Sequence, residues 1–303
     1  MISGVAFARD PGHEPVRDQP GDMGGSARDS VRVVRRAAAG TVHTFPKDAF
    51  PLDAVVAGKG DRFVSVCIPA HNEAATVAGV LTAVQVPHLA ELGGSGLVDE
   101  VLVVDDGSTD GTAEAAAASG ARVVRLGRRV GKGGAMRAAL DAAAGDVFVF
   151  LDADVENTTA AFVTSLLGPL FAGKADYALV KGYYERPIGG SATGGGRVTE
   201  LVARPALEVL FPGLPALTGV RQPLAGETAA PRWVLEKLEF APGYGVEIGL
   251  LVDVVSNYGA GAVAQVDLGT RIHRNRSLDE LRPQAVEVLR AALERTRGDG
   301  RPG

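Results

Sequence analysis

The chain has 303 residues, 46% of them hydrophobic but only 5% aromatic, which is enough to bury a sizeable core resting on Val, Leu and Ala. Lys and Arg number 31 against 36 Asp and Glu, and the resulting net charge of −5 gives no reason to expect nucleic acid as a partner. A single cysteine, Cys67, excludes an intrachain disulfide framework, and no run approaches the roughly 20 apolar residues of a membrane span, so a cytoplasmic protein without a transmembrane segment is expected.

Residues 1–60 are rich in Gly, Arg, Asp and Pro and are expected to be a largely disordered N-terminal extension, with Thr41 to Phe45 the best candidate for a strand within it. Phe63 to Ile68 is a short β-branched strand broken by Pro69-Ala70-His71-Asn72-Glu73, after which an Ala/Val/Leu helix follows. Glu100 to Asp105 is a second strand, and Asp106-Gly107-Ser108-Thr109-Asp110 turns the chain and caps a helix from about Thr112 to Ser119. Ala121 to Leu126 is a third strand; a Gly-rich turn with Lys132 then opens a helix to Ala143, and Val147 to Leu151 is a fourth strand ending at Asp152-Ala153-Asp154. Strands that alternate with helices and are apolar nearly throughout predict a mostly parallel, Rossmann-like α/β sheet flanked by helices. The second half is more mixed: a strand over Tyr177 to Tyr184, helices over Val198 to Phe211 and Val246 to Tyr258, a strand over Ala262 to Asp267, and an Arg/Glu-rich terminal helix over Leu278 to Arg297.

The polar residues fall where such a sheet binds ligands, in the crevice outside the carboxyl ends of its strands. Glu73 follows the first strand, Asp105 and Asp106 end the second, and Asp152 and Asp154 end the fourth. Carboxylates gathered there repel one another unless a cation or hydrogen-bond donors sit among them, and an oxygen-rich site of this kind suits Mg²⁺ or Mn²⁺ carrying a diphosphate. Each cluster alone is ambiguous, since Asp-Gly-Ser-Thr-Asp is also a common turn and cap. It is their joint occurrence at successive strand ends that points to a site. Gly194-Gly195-Gly196-Arg197 reads either as a flexible loop with a surface Arg or as an anion cradle opening a helix.

Pro69 to Glu73, Asp105 to Asp110, Gly131-Lys132-Gly133 and Asp152-Ala153-Asp154 together resemble the signature of GT-A-type glycosyltransferases. In the second half, Ala192 to Leu201, Gln222 to Glu227, Phe240 to Gly249 and His273-Arg274-Asn275-Arg276 resemble actinobacterial glucosyl-3-phosphoglycerate synthases, over about residues 63 to 282 in all. The resemblance implies a metal-dependent, retaining transfer of glucose from UDP-glucose or another nucleoside-diphosphate glucose to 3-phosphoglycerate. It divides the chain into a nucleotide-sugar-binding subdomain at 61–160 and an acceptor-binding subdomain at 161–303, and it allows a homodimer. Carried over by position, Pro69, Ala70, Glu73 and Asp106 hold the nucleoside, Lys132 lies by the donor phosphates, and Asp152 by the ribose or sugar. Asp154 and His273 ligate the Mg²⁺ or Mn²⁺; Gly196, Arg197, Thr199 and Asn275 hold the small anionic acceptor. Glu247, which with Lys132 forms the catalytic pair, faces the donor sugar, although the dipole at a helix N-terminus alone also explains an acid there. His71 stands where the family often has an apolar residue, and it either touches the base or is tolerated. The Thr218 to Arg221 stretch departs from the family pattern and leaves the sugar and acceptor more open than the reaction type. Related mannosyl-3-phosphoglycerate synthases and polyprenyl-phosphate glycosyltransferases are the alternatives within that class, and a non-catalytic nucleotide-sugar-binding protein is the alternative outside it.

Overall fold

The computed structural model describes residues 40–85, 96–188, 191–193, 196–272 and 277–298. In chain order the elements are β1 (His43–Phe45), α1 (Leu52–Lys59), β2 (Val64–Ala70), α2 (Val77–Val84), β3 (Glu100–Asp105), α3 (Thr112–Ala118), β4 (Arg122–Arg125), α4 (Lys132–Ala142), β5 (Val147–Phe150), α5 (Ala160–Ala172), β6 (Leu179–Ile188) and β7 (Ser191–Thr193). A π-helical turn at Thr199–Ala203 then runs into α6 (Arg204–Leu210), followed by β8 (Thr228–Pro231), α7 (Arg232–Leu235), α8 (Val246–Tyr258), β9 (Val263–Thr270) and α9 (Leu278–Gly298).

One sheet runs in the order β1-β9-β6-β8-β5-β2-β3-β4, and β7 folds back onto the end of β6. Every neighbouring pair along that path is parallel except those made by β8, which lies antiparallel to both β5 and β6. Because successive strand residues face opposite sides, Val64, Val66 and Ile68 go to one core and Cys67 to the other. The same alternation sends Phe148 and Phe150 against Val147 and Val149, so both faces bury apolar side chains and neither reads as half-polar. Helices α1, α2 and α5 cover one face; α4, α6, α8 and α9 cover the other.

The N-terminal boundary needs correcting. Residues 1–39 lie outside the described residues, but 43–59 are built into the body of the protein. His43, Thr44 and Phe45 pair with Ala264, Gln265 and Val266, and α1 packs on α5. The strand expected over Thr41 to Phe45 is present as β1, whereas the eight-residue α1 carries too little periodicity to stand out in a Gly- and Pro-rich stretch, and tertiary packing supplies what local propensity lacks. The sheet is also continuous across residue 160, since β8 and β6 extend the strands of the 61–160 segment edge to edge.

Chain order determines where a ligand fits. From β2 the chain moves outward to β3 and β4, then returns to the other flank of β2 to form β5. The strand order reverses there, opening a crevice beyond the carboxyl ends of β2, β3 and β5.

Candidate active site

A cavity of about 840 Å³ occupies that crevice, lined from β2 by Pro69 to Glu73, from the end of β3 by Asp106, from the start of α4 by Gly131 and Lys132, and from the end of β5 by Asp152 and Asp154. Its far wall comes from Pro242, Gly243 and Tyr244 and from Glu280, Pro283, Gln284 and Glu287 of α9.

The loops after β2 and β3 are wired to each other. Asn72, in the left-handed region at φ 57°, accepts from Thr109 N at 2.9 Å, while its own N–H donates to Ser108 Oγ at 3.0 Å. Glu73 N donates to Thr112 Oγ1 at 2.8 Å, and Asp110 accepts from Thr112 and from Ala74 N. His71 Nδ1 donates to the Asp106 carbonyl at 2.8 Å, which leaves its Nε2 as the acceptor and presents the ring to the cavity. The Asp106 carboxylate, expected to meet the nucleoside directly, spends both oxygens on backbone, accepting from Val130 N at 2.6 Å and Gly131 N at 2.9 Å. It thereby fixes the turn that begins α4, where Gly131 takes φ 84°, a conformation that favours glycine. The N-terminus of α4 faces the cavity and adds positive potential for an anion.

Three residues of the cavity lining, Lys132, Asp152 and Asp154, belong to a connected chain of ions that extends through Glu247, Arg271 and Glu227, which are not themselves lining residues. Lys132 Nζ lies 2.5 Å from Asp152 Oδ1 and 2.6 Å from Glu247 Oε1, so the catalytic pair expected from the sequence is in direct contact. Arg271 spans the next gap, at 2.8 Å from Asp152 Oδ2 and 3.0 Å from Asp154 Oδ1, and its other nitrogen lies 3.1 Å from Glu227 Oε1 and 2.8 Å from Tyr184 Oη. Burial would push the Lys132 ammonium down, but Asp152 and Glu247 outweigh it and hold it well above an ordinary lysine. Burial would likewise raise the Asp152 carboxyl, yet Lys132 and Arg271 pull it well below the usual carboxylate range. Glu227 goes the other way, because burial raises it more than Arg271 lowers it.

A divalent cation fits this cluster. Asp152, Asp154, Glu227 and Glu247 share the cations Lys132 and Arg271, with Lys181 buried nearby. Among the described residues Arg271 Nε is buried without a hydrogen-bond partner, and Glu227 Oε1 meets Arg271 as an ion pair at 3.1 Å rather than through a well-aligned hydrogen bond. Hard carboxylate oxygens beside room for phosphate oxygens are what Mg²⁺ and Mn²⁺ take. No group of three or more His, Cys, Asp or Glu able to hold a metal occurs among the described residues. Asp154 and His273 would supply only two side-chain ligands, the donor phosphates supplying others, and His273 lies outside the described residues, as does Asn275.

The residues expected to bind the acceptor lie apart from this cavity or outside the described residues. Gly196, Arg197 and Thr199 do not line this cavity; Arg197 is exposed, and Thr199 is buried in the π-helical turn, which packs on α9. Sequence reasoning missed Arg271, Lys181 and Tyr184, and it weighed Glu227 only as part of a motif. A lone Lys in the apolar run Leu179 to Tyr184, and an Arg leaving a strand two residues before His273, were the available signals.

The Glycosyl transferase family 2 model matches residues 65–204. The glucosyl-3-phosphoglycerate synthase of Mycobacterium tuberculosis is 46% identical over 266 residues, covering 83% of this chain and 79% of that protein. The protein of the same name from Mycolicibacterium smegmatis is 44% identical, covering 84% of each chain. Among solved structures, the M. tuberculosis enzyme in complex with Mn²⁺, UDP-glucose and phosphoglyceric acid aligns with a TM-score of 0.75 at 44% identity, covering 87% of this chain and 89% of that one. The same enzyme with Mg²⁺ and UDP gives a TM-score of 0.75 over 86% and 88% of the two chains.

Proposed function

Since the chain belongs to the glucosyl-3-phosphoglycerate synthases, we propose that it transfers glucose from UDP-glucose to the free hydroxyl of 3-phosphoglycerate, with retention at the anomeric carbon. The observation that carries this reading is the unbroken ion chain Glu247–Lys132–Asp152–Arg271–Asp154, whose members Lys132, Asp152 and Asp154 line a nucleotide-sized cavity at the strand-order reversal.

Each residue has a task that follows from its setting. Pro69, Ala70, Glu73 and His71 form the rim that receives uracil and ribose, and Asp106 keeps the opening turn of α4 in place beside them. Lys132 stays protonated between two carboxylates and offers a fixed positive charge to the diphosphate as it leaves. Lys132 in turn fixes Glu247, 4% exposed, to accept hydrogen bonds from sugar hydroxyls. A bound Mg²⁺ or Mn²⁺ supplies Lewis-acid stabilisation of the leaving group, and Asp154 and His273 are the residues that would hold it. Gly196, Arg197, Thr199 and Asn275 are assigned to the acceptor's phosphate and carboxylate, Arg197 through a bidentate fork. On this reading residues 61–160 bind the donor and 161–303 the acceptor. Both substrates are multiply charged and do not cross a bilayer unaided, which supports a cytoplasmic site of action; no helix among the described residues is long and apolar enough to cross a membrane.

The test is direct. The purified chain is given 3-phosphoglycerate, Mg²⁺ and separately UDP-glucose, other glucose nucleotides and GDP-mannose, and the product is read by NMR. An α-glucosylated phosphoglycerate from an α-linked donor is expected; absence of any glycosylated product, or inversion at the anomeric carbon, refutes the reading.

A further inference from the structure

Lys181 is the third residue of β6, 1% exposed, and among the largest fully buried side chains of the described residues. Burying an ammonium is costly unless it is paired. Among the described residues the only hydrogen bond of its side chain is donated by Nζ to the Ala225 carbonyl, at 2.9 Å. That carbonyl belongs to the backbone that passes the ion chain. At Gly226 a Cβ atom would collide with Asp152 Oδ1 and Lys132 Nζ, so the main chain lies flush against that pair. The next residue, Glu227, reaches Arg271, and its own carbonyl accepts from Gly182 N at 2.8 Å.

We infer that Lys181 is a positioning residue of the transferase site: by gripping the Ala225 carbonyl it holds the Ala225–Glu227 backbone against Asp152 and Lys132, and its buried charge helps balance the three carboxylates that face it. The inference rests on the function proposed above. A neutral side chain could fill the space at lower cost, and the surroundings explain why a cation is there. The charged groups facing Lys181 are Glu247 from α8, Lys132 from α4, Glu227 ahead of β8 and Asp152 after β5. Burial pushes its ammonium down to about 8, Glu247 pulls it back up more than any other carboxylate, and Lys132 opposes that pull. Where the Ala225–Glu227 backbone sits determines how close Asp152 and Lys132 stay, and that pair acts on charge that grows as the diphosphate departs. The effect of Lys181 therefore belongs in the transition state more than in substrate binding.

The experiment compares wild type, Lys181→Met and Lys181→Gln in the full chain with UDP-glucose, 3-phosphoglycerate and Mg²⁺, with melting temperatures measured alongside. Lys181→Met is expected to lower kcat at least tenfold, to leave both KM values within about threefold, and to leave the melting temperature level or higher. Lys181→Gln keeps a donor without the charge and is expected to fall between the two. A Lys181→Met enzyme with kcat within threefold of wild type overturns the inference, as does a matching rise in both KM values with kcat unchanged. If neither variant folds, Lys181 is structural and the inference is likewise overturned. A wild-type chain that makes no glucosylated product defeats the functional reading instead, so the two failures are distinct.

Discussion

Asp152 carries a cation on each oxygen, Lys132 on one and Arg271 on the other, so its ionisation is tied to the integrity of the whole ion chain. Away from the site, Glu100 shows the same principle in a form that stability can report without ligands. One of its oxygens accepts from Ser65 Oγ at 2.7 Å and Ala144 N at 2.9 Å, and the other from Arg122 at 2.7 Å. Burial would raise its carboxyl, but the Ser65 hydroxyl, the Ala144 amide and Arg122 together hold it below the ordinary 4.5. With the folded value below the unfolded one, its contribution is full above 4.5 and is lost as the pH falls beneath it. Glu100→Ala should cost about 1–3 kcal/mol at pH 7, and clearly less at pH 3, by urea unfolding. A cost independent of pH would show that the charge is not what matters. At this scale strand-end position exposed Asp152 and Asp154, while Lys132 and Glu247, which open α4 and α8, were exposed by the motifs they share with the family. For Lys181 and Arg271 the sequence offered only their odd placement in or after a strand, because their partners lie far along the chain and depend on which strands become neighbours.

Among the elements, α9 closes the cavity and is itself pinned. Arg295 donates to both oxygens of Asp253, at 2.8 and 2.7 Å, and to the Gly249 and Glu239 carbonyls at 3.1 Å each, which ties α9 to α8. Farther up the helix, Glu287 accepts from Tyr244 N at 2.8 Å. Arg295→Ala should therefore destabilise the protein by about 2–3 kcal/mol and leave Asp253 half-buried without its partner, a loss that chemical denaturation will measure. A change below 0.5 kcal/mol would mean the apolar packing of α9 suffices. The helix was legible from its Arg/Glu pattern, as were β3 and α8, whose expected limits match the structure. Besides α1, β7 and α7, two larger or more consequential elements were not legible. The α5 run AAFVTSLLGPLFA is apolar nearly all round, with Gly168 and Pro169 inside, so it shows no amphipathic stripe. β8 is four residues ending in Pro231, and its place between β5 and β6 is decided by pairing that no local pattern announces.

For the whole molecule, the cavity is bounded by segments from Pro69 to Glu287, so a ligand that fills it binds elements spread over most of the described chain. Ligand that binds only the folded state stabilises it by about 2.7 kcal/mol at a hundredfold excess over Kd, worth roughly 5–10 °C in a domain of this size. UDP with Mg²⁺ should raise the melting temperature by that order. EDTA, or the substitution Asp154→Ala, should remove most of the rise, whereas an equal rise in Asp154→Ala would separate Asp154 from the metal.

The pairing of β1 with β9, fastened by Gln265 Nε2 donating to Thr44 Oγ1 across 221 positions, has a consequence for the protein's birth. On the ribosome β1 emerges early but has no partner, and the flank of β6 that β9 will cover stays open until Val263–Thr270 have been made. Closing so wide a loop is slow, so the nascent chain spends most of its synthesis with unpaired strand edges that a chaperone, or a neighbouring nascent chain, can reach.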